Sequence, residues 1–138
     1  MFGHRVNIIG LHLISFSYSS GGGMNGGYNR MTVTKDGENA VIATSEADWH
    51  GEELKEKKYT VSAEILNELE AVVRKYKMNN WHEKKFTDIF VCDGESESYC
   101  FDFGEETVRF SSQFYPAEYA GKLRELFKVI EKYISTAK

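Results

Sequence analysis

Proline occurs once in this chain of 138 residues, as Pro116, and cysteine twice, as Cys92 and Cys100. A single proline excludes a proline-rich linker or a polyproline recognition segment. Two cysteines with seven residues between them exclude a disulfide-stapled scaffold. They also lack the tight Cys-x-x-Cys pairing of a structural zinc site, even with His50 and His82 counted as partners. Reduced, partly buried thiols are expected, and with them a cytoplasmic location. No run of about 20 apolar residues is present, so no membrane span is expected. The apolar stretch from Val6 to Phe16 is broken by Asn7, Gly10, His12 and Ser15, unlike the core of a secretory signal.

Acidic residues are missing from residues 1–35, where Arg5, Arg30 and Lys35 give a charge of +3. The rest of the chain holds all 21 acids against 14 Lys and Arg, which is −7, and the whole carries −4. Three dispersed cations do not make the clustered basic face that nucleic acid requires, so nucleic acid is not an expected partner. An acid-free segment fits a buried, strand-rich part of the fold, or an end that attracts anions.

Aromatic residues are plentiful instead: nine Phe, eight Tyr and two Trp. Such side chains suit a pleated, half-buried surface and point toward sheet. From Ile14 to Ser19, apolar and serine positions alternate with the period of a strand, within an expected extended stretch over Val6 to Ser20. Residues 28–34 read as its hairpin partner, Asp36-Gly37 as a tight turn, and residues 40–44 as a third strand. The polar stretch 45–58 is expected to be a surface loop, followed by a short strand over 58–61.

Ser62 is placed to cap a helix in which Ile65, Leu66, Leu69, Val72, Val73 and Tyr76 share one face. Asn79-Asn80 suits its left-handed stop. A three-stranded meander follows, over 86–92, 98–103 and 107–112, with Tyr99, Phe101 and Phe103 on one face of its middle strand. Pro116 opens a final helix with its apolar stripe at Tyr119, Leu123, Leu126, Phe127, Ile130 and Ile134. The expected fold is one α+β domain over residues 1–138, an antiparallel sheet with both amphipathic helices on one face. Residues 1–13 are left open as an N-terminal extension of that domain.

Five of the twelve glycines fall between Gly21 and Gly27. Glycine gives access to positive φ and close backbone approach, at an entropic cost, so the cluster suggests a purpose. Gly21-x-Gly23-x-x-Gly26 spells the dinucleotide fingerprint, but a strand-like segment follows where a helix is needed to hold the pyrophosphate. A phosphate loop is excluded because Tyr28 stands where lysine must follow Gly27. Asp102-Phe103-Gly104 matches a kinase triplet, yet no His-Arg-Asp loop or Val-Ala-Ile-Lys strand accompanies it. The acidic run from Asp93 to Glu97 lacks calcium-loop spacing.

The segment Phe16-Ser17-Tyr18-Ser19-Ser20-Gly21-Gly22-Gly23-Met24-Asn25-Gly26-Gly27-Tyr28 resembles one found in a group of small Gram-positive bacterial proteins. The run Tyr76-Lys77-Met78-Asn79-Asn80-Trp81 is similar to theirs as well, and the likeness spans the chain from about Ser15 onward. That resemblance implies a stand-alone bacterial domain; it attaches no activity and transfers no functional residue.

The function expected from these residues is a non-enzymatic binding or protein-interaction domain, with a protein partner or a second copy as occupant. The alternative is a small-molecule or anion-binding sensor or enzyme that uses the Gly21–Gly27 loop as a nest of N–H groups, helped by Arg30 or His12. A third reading makes the glycines purely structural, relaxing a hairpin. Candidate contact residues are Gly22, Gly23, Met24, Asn25, Tyr28 and Arg30, with Trp49 and Trp81 as surface aromatics. No catalytic, metal or cofactor residue is assigned.

Overall fold

The computed structural model describes residues 5–21, 27–47, 54–86 and 96–137. Six strands form one antiparallel sheet: β1 (Ser15–Gly21), β2 (Tyr28–Asp36), β3 (Asn39–Ala47), β4 (Leu54–Ser62), β5 (Ser96–Asp102) and β6 (Thr107–Ser112). The spatial order is β4-β3-β2-β1-β5-β6, so β1 is the seam between two hairpin-built halves. Helix α1 (Glu64–Lys75) follows β4, and helix α2 (Ala117–Thr136) closes the chain. The fold is α+β, with the antiparallel meander expected.

One face of the sheet is the core face. Ile42, Val33, Phe16, Phe101 and Val108 sit in register across five strands, and each is fully buried. Against this row lie Ile65, Leu66, Leu69, Val72 and Val73 of α1 and Leu123, Leu126 and Ile130 of α2, in one continuous cluster. The period-3.6 stripes of the two helices and the period-2 stripes of the strands meet there, which removes both from water at once. Glu68 of α1 bonds Lys132 and Tyr133 of α2, and Tyr76 bonds Glu125, so the helices are also tied to each other at their polar rims.

Several boundaries differ from the sequence expectation. The stretch 45–58 is not one loop: β3 continues to Ala47 and β4 already starts at Leu54. Its charged residues Lys55, Glu56, Lys57 and Lys58 are polar because β4 is an edge strand, and lysines on an edge discourage pairing with another sheet. The strand expected from Val6 begins only at Ser15. Ser62 Oγ accepts a 3.2 Å bond from the Glu64 N–H, while Ala63 holds the residue position before the helix. Lys77, rather than Asn79-Asn80, takes the left-handed turn after α1, and a 3₁₀ turn follows over Met78–Trp81. The expected strand over 86–92 lies largely outside the described residues, as does the Asp93-Gly94 turn.

Residues 5–13 belong to the core. Val6, Ile8 and Leu13 are buried in the main cluster. The Val6 N–H donates to the Asn79 carbonyl and the Asn79 side-chain amide donates back to the Val6 carbonyl, both at 2.9 Å. Arg74 donates to the carbonyls of Ile8 and Leu11, at 3.1 and 2.7 Å. The segment was hard to read as core because it packs as irregular chain, with no period to betray it.

Candidate functional site

Among the described residues, no helix packs on the second face of the sheet. Strand alternation places Ser15, Ser17 and Ser19 of β1, Arg30, Thr32 and Thr34 of β2, Ser98 and Cys100 of β5, and Arg109 and Ser111 of β6 on it. Two cross-strand rows make the floor. In one, Thr32, Ser17, Cys100 and Arg109 lie side by side; in the next, Arg30, Ser19, Ser98 and Ser111 do. Small hydroxyl side chains dominate the middle, and the two arginines stand at opposite banks.

The chain raises a wall on the β6 side. The Glu83 N–H donates to the Arg109 carbonyl at 2.7 Å, and the Arg109 N–H donates to His82 Nδ1 at 3.0 Å. Residues 82–83 thereby occupy the outward hydrogen-bonding groups of Arg109 on the β6 edge. The trough between this wall and β2 has a volume of about 680 Å³, within the usual range for a small-molecule site.

Its electrostatics differ from those of the whole protein. Both guanidiniums, of Arg30 and Arg109, are on exposed residues and have no ion-pair partner among the described residues. Lys84 lines the trough, but its ammonium rests 5.5 Å from the centre of the Tyr119 ring. Glu83, the acid on the wall, sits 3.5 Å from His82 Nε2. A chain of net charge −4 thus presents two guanidiniums with no ion-pair partner among the described residues over a neutral hydroxyl floor.

Cys100 brings a free, half-buried thiol to the centre of the floor, with Ser17 and Arg109 as its ladder neighbours. Neither neighbour is a base, so the thiol's position is that of a floor residue. Beneath the floor, on the core face, the Tyr99 hydroxyl donates to Glu97 Oε1 at 3.0 Å and the Tyr115 hydroxyl to the Glu97 carbonyl at 2.8 Å. Burial, and then the Glu97 charge, push both phenols well above their ordinary range, which keeps them neutral.

The residues singled out from sequence are distributed as follows. Arg30 lies in the trough, and Tyr28, 41 % exposed, lies two residues from it along β2. Gly22, Gly23, Met24, Asn25 and Trp49 fall outside the described residues. Trp81 is not a surface aromatic: it is buried among Phe86, Phe110 and Tyr119, with ring centres 5.0 to 5.9 Å away. His12 is on another side of the molecule, 3.4 Å from Glu70. Among the described residues no group of three or more His, Cys, Asp or Glu is placed to hold a metal ion. No described helix is long and apolar enough to cross a membrane.

Arg109 and the serine floor escaped sequence reasoning. Ser-x-Ser-x-Ser in β1 was legible as the polar side of a strand. Only the pairing of β1 with β5 lines those serines up with Ser98, Cys100 and Arg109, some 80 to 90 residues later in the chain.

Gly21 ends β1 at the start of the glycine-rich segment. A Cβ there would come within 2.7 Å of Tyr28 Cβ and 2.8 Å of the Gly27 carbonyl oxygen. Backbone cannot yield as a flexible side chain can, and φ is +158°. Gly21→Ala is therefore expected to lower stability by more than about 1 kcal/mol; an unchanged urea midpoint would remove this structural role.

No protein-family model matches the chain, and no curated protein matches it. The class that fold and site define is a single-sheet α+β domain with one helix-covered face and a second face that carries two arginines and no helix among the described residues.

Proposed function

We propose that this protein is a non-enzymatic binding domain that takes a small organic anion, carrying phosphate or carboxylate, on the open face of its sheet. One observation carries the reading: two guanidiniums, without an ion-pair partner among the described residues, flank a hydroxyl-lined trough on an otherwise acidic protein. Guanidinium forks match phosphate and carboxylate oxygens in bidentate fashion, and serine and threonine hydroxyls supply further donors and acceptors. The expectation of an anion site is kept, but it moves from the glycine nest to the sheet face beside it. A partner that adds a strand is disfavoured, because lysines guard the β4 edge and residues 82–83 bond the β6 edge at Arg109.

The test is a thermal-shift screen with inorganic phosphate, nucleotides, sugar phosphates and dicarboxylates, on the native chain and on the double variant Arg30→Gln, Arg109→Gln. A ligand at about 100 times its Kd adds about 2.7 kcal/mol, a rise of several degrees in melting temperature. The double variant should fold normally, since exposed substitutions change stability by within about 0.5 kcal/mol, and should lose the rise. In a Cys92→Ser background the bound anion should also slow alkylation of Cys100. A flat screen with unprotected Cys100, and light scattering that shows self-association, would replace the small anion with a second copy of the chain.

A further inference from the structure

Residues 81–84 form a tight turn whose docking on the sheet passes through one imidazole. The Lys84 N–H donates to the Trp81 carbonyl at 2.9 Å, with His82 (φ −55°, ψ 123°) and Glu83 (φ +55°) at the two central positions. That is type II geometry, in which the second central position favours glycine. Here it holds a glutamate, so the turn carries backbone strain and has to be held from outside. Arg109 on the β6 edge holds it. Its carbonyl accepts from the Glu83 N–H at 2.7 Å, and its N–H donates to His82 Nδ1 at 3.0 Å.

The bond to His82 exists in one protonation state only. Nδ1 accepts, so the neutral ring carries its proton on Nε2, which lies 3.5 Å from Glu83 Oε1. A second proton can go only to Nδ1, and an imidazolium donates from both nitrogens and accepts at neither. Two donors, Nδ1–H and the Arg109 N–H, would then face each other where one bond had been. Among the described residues, the charged groups on the ring's own segment and on β6 are Glu83, Lys84, Lys85 and Arg109, and Glu83 is the only acid among them. Helix α1, packed against the same turn, ends in Arg74 and Lys75, which pair with Glu70 and Glu125. Helix α2 meets the turn through the Tyr119 ring, where the Lys84 and Lys122 ammoniums rest.

We propose that the 81–84 turn is a pH-operated latch on the β6 edge, docked while His82 is neutral and released when its ring takes a second proton. Released, the turn drops its left-handed strain, and the imidazolium trades the Arg109 N–H for a closer pairing with Glu83. One contact replaces another, so the core and the urea midpoint stay as they are. The change is local. Glu83 and Lys84 line the trough, so its wall at the Arg109 bank comes away from the sheet, and the outward N–H and carbonyl of Arg109 are uncovered. The device stands whether or not the trough takes an anion.

Amide hydrogen exchange followed by NMR from about pH 8 to about pH 5, with rates corrected for their intrinsic pH dependence, reads the latch directly. The ring-nitrogen shifts of His82 report its proton count in the same samples. The amides of Glu83 and Arg109 should lose protection at least tenfold, with the midpoint of the His82 ring, while the amide of Phe101 in the interior of the sheet keeps its own. In His82→Asn the side-chain carbonyl takes over as acceptor without titrating, so both amides should stay protected across the range. In His82→Phe no acceptor remains, and both should exchange fast throughout. Protection that persists while the native ring titrates, or a ring still neutral at about pH 5, overturns the latch. An equal step in His82→Asn overturns it as well, by assigning the change to another group such as His12. No ligand is present in these samples, so their outcome is separate from that of the anion screen.

Discussion

Phe101→Ala is expected to remove about 3 to 5 kcal/mol of folding stability, as large-to-small changes of a buried phenylalanine do. Phe101 is fully buried on β5, flanked in register by Phe16 and Val108. Its ring centre is 5.0 Å from that of Phe16 and 6.1 Å from that of Phe110. Neighbours held by sheet hydrogen bonds cannot close over the missing ring, so the loss combines lost transfer energy with a retained cavity. Domains are stable by only about 5 to 15 kcal/mol, so this change consumes a large share of the total. Because β5 pairs with β1, the cavity lies at the seam between the two halves of the sheet. Urea denaturation followed by tyrosine and tryptophan fluorescence measures the effect. A loss under about 1 kcal/mol would show that the seam can collapse and that the row of buried side chains is not the centre of the core.

Glu70→Leu is expected to cost about 2 to 4 kcal/mol and to change the response to acid. Glu70 is nearly buried on α1, yet it accepts from the Leu13 N–H and from Arg74 Nε, both at 2.9 Å, with His12 at 3.4 Å. Arg74 in turn clasps the carbonyls of Ile8 and Leu11. Removing the carboxylate strands the buried Leu13 N–H and loosens the arginine clasp on residues 5–13, and a stranded buried group alone costs about 1 to 3 kcal/mol. Glu70→Gln, which keeps an acceptor but not the charge, should cost less.

The acid behaviour has a definite sign. Burial alone would raise the Glu70 pKa, but the Leu13 N–H, Arg74 and His12 outweigh it and hold the carboxyl below its ordinary 4.5. Glu68 is also held low, by Lys132 and Tyr133. A carboxylate with a depressed folded pKa contributes stability that is fully present above its unfolded value and is lost as pH falls through the folded one. The native chain should therefore keep its urea midpoint from neutrality down to about pH 5 and lose it progressively below about pH 4.5. Glu70→Gln should show a shallower loss in that window. Parallel slopes for the two proteins would mean that the Glu70 carboxyl titrates alike in the folded and unfolded chain, so that its partners give the carboxylate no net preference.

The legibility of the fold follows from periodicity. Residues 64–75 and 117–136 carried uninterrupted helical stripes, and Leu123, Leu126 and Ile130 are buried as their spacing required. The β5 alternation of Tyr99 and Phe101 was equally plain, and both point into the core. Residues 54–58 misled because an edge strand with lysines looks like a loop when its neighbours are unknown. Trp81 misled because adjacent charge suggested a surface, whereas the 3₁₀ turn rotates its indole inward and leaves His82 to bond β6. Half of the proposed site was visible as Arg30 and the β1 serines. Arg109 was not, because nothing near it in the chain sets it apart.

By itself the sequence determined which side chains must leave water and at what period, and so the strands, the helices and the α+β class. Those are local properties, decided by the 2.0 and 3.6 spacings of backbone geometry. Only tertiary structure decided which strands adjoin, because pairing register depends on contacts between residues far apart in the chain. The β1–β5 pairing is such a contact, and it brings the serines of β1 beside Cys100 and Arg109. It turns two unremarkable polar strand faces into one trough with an arginine on each bank.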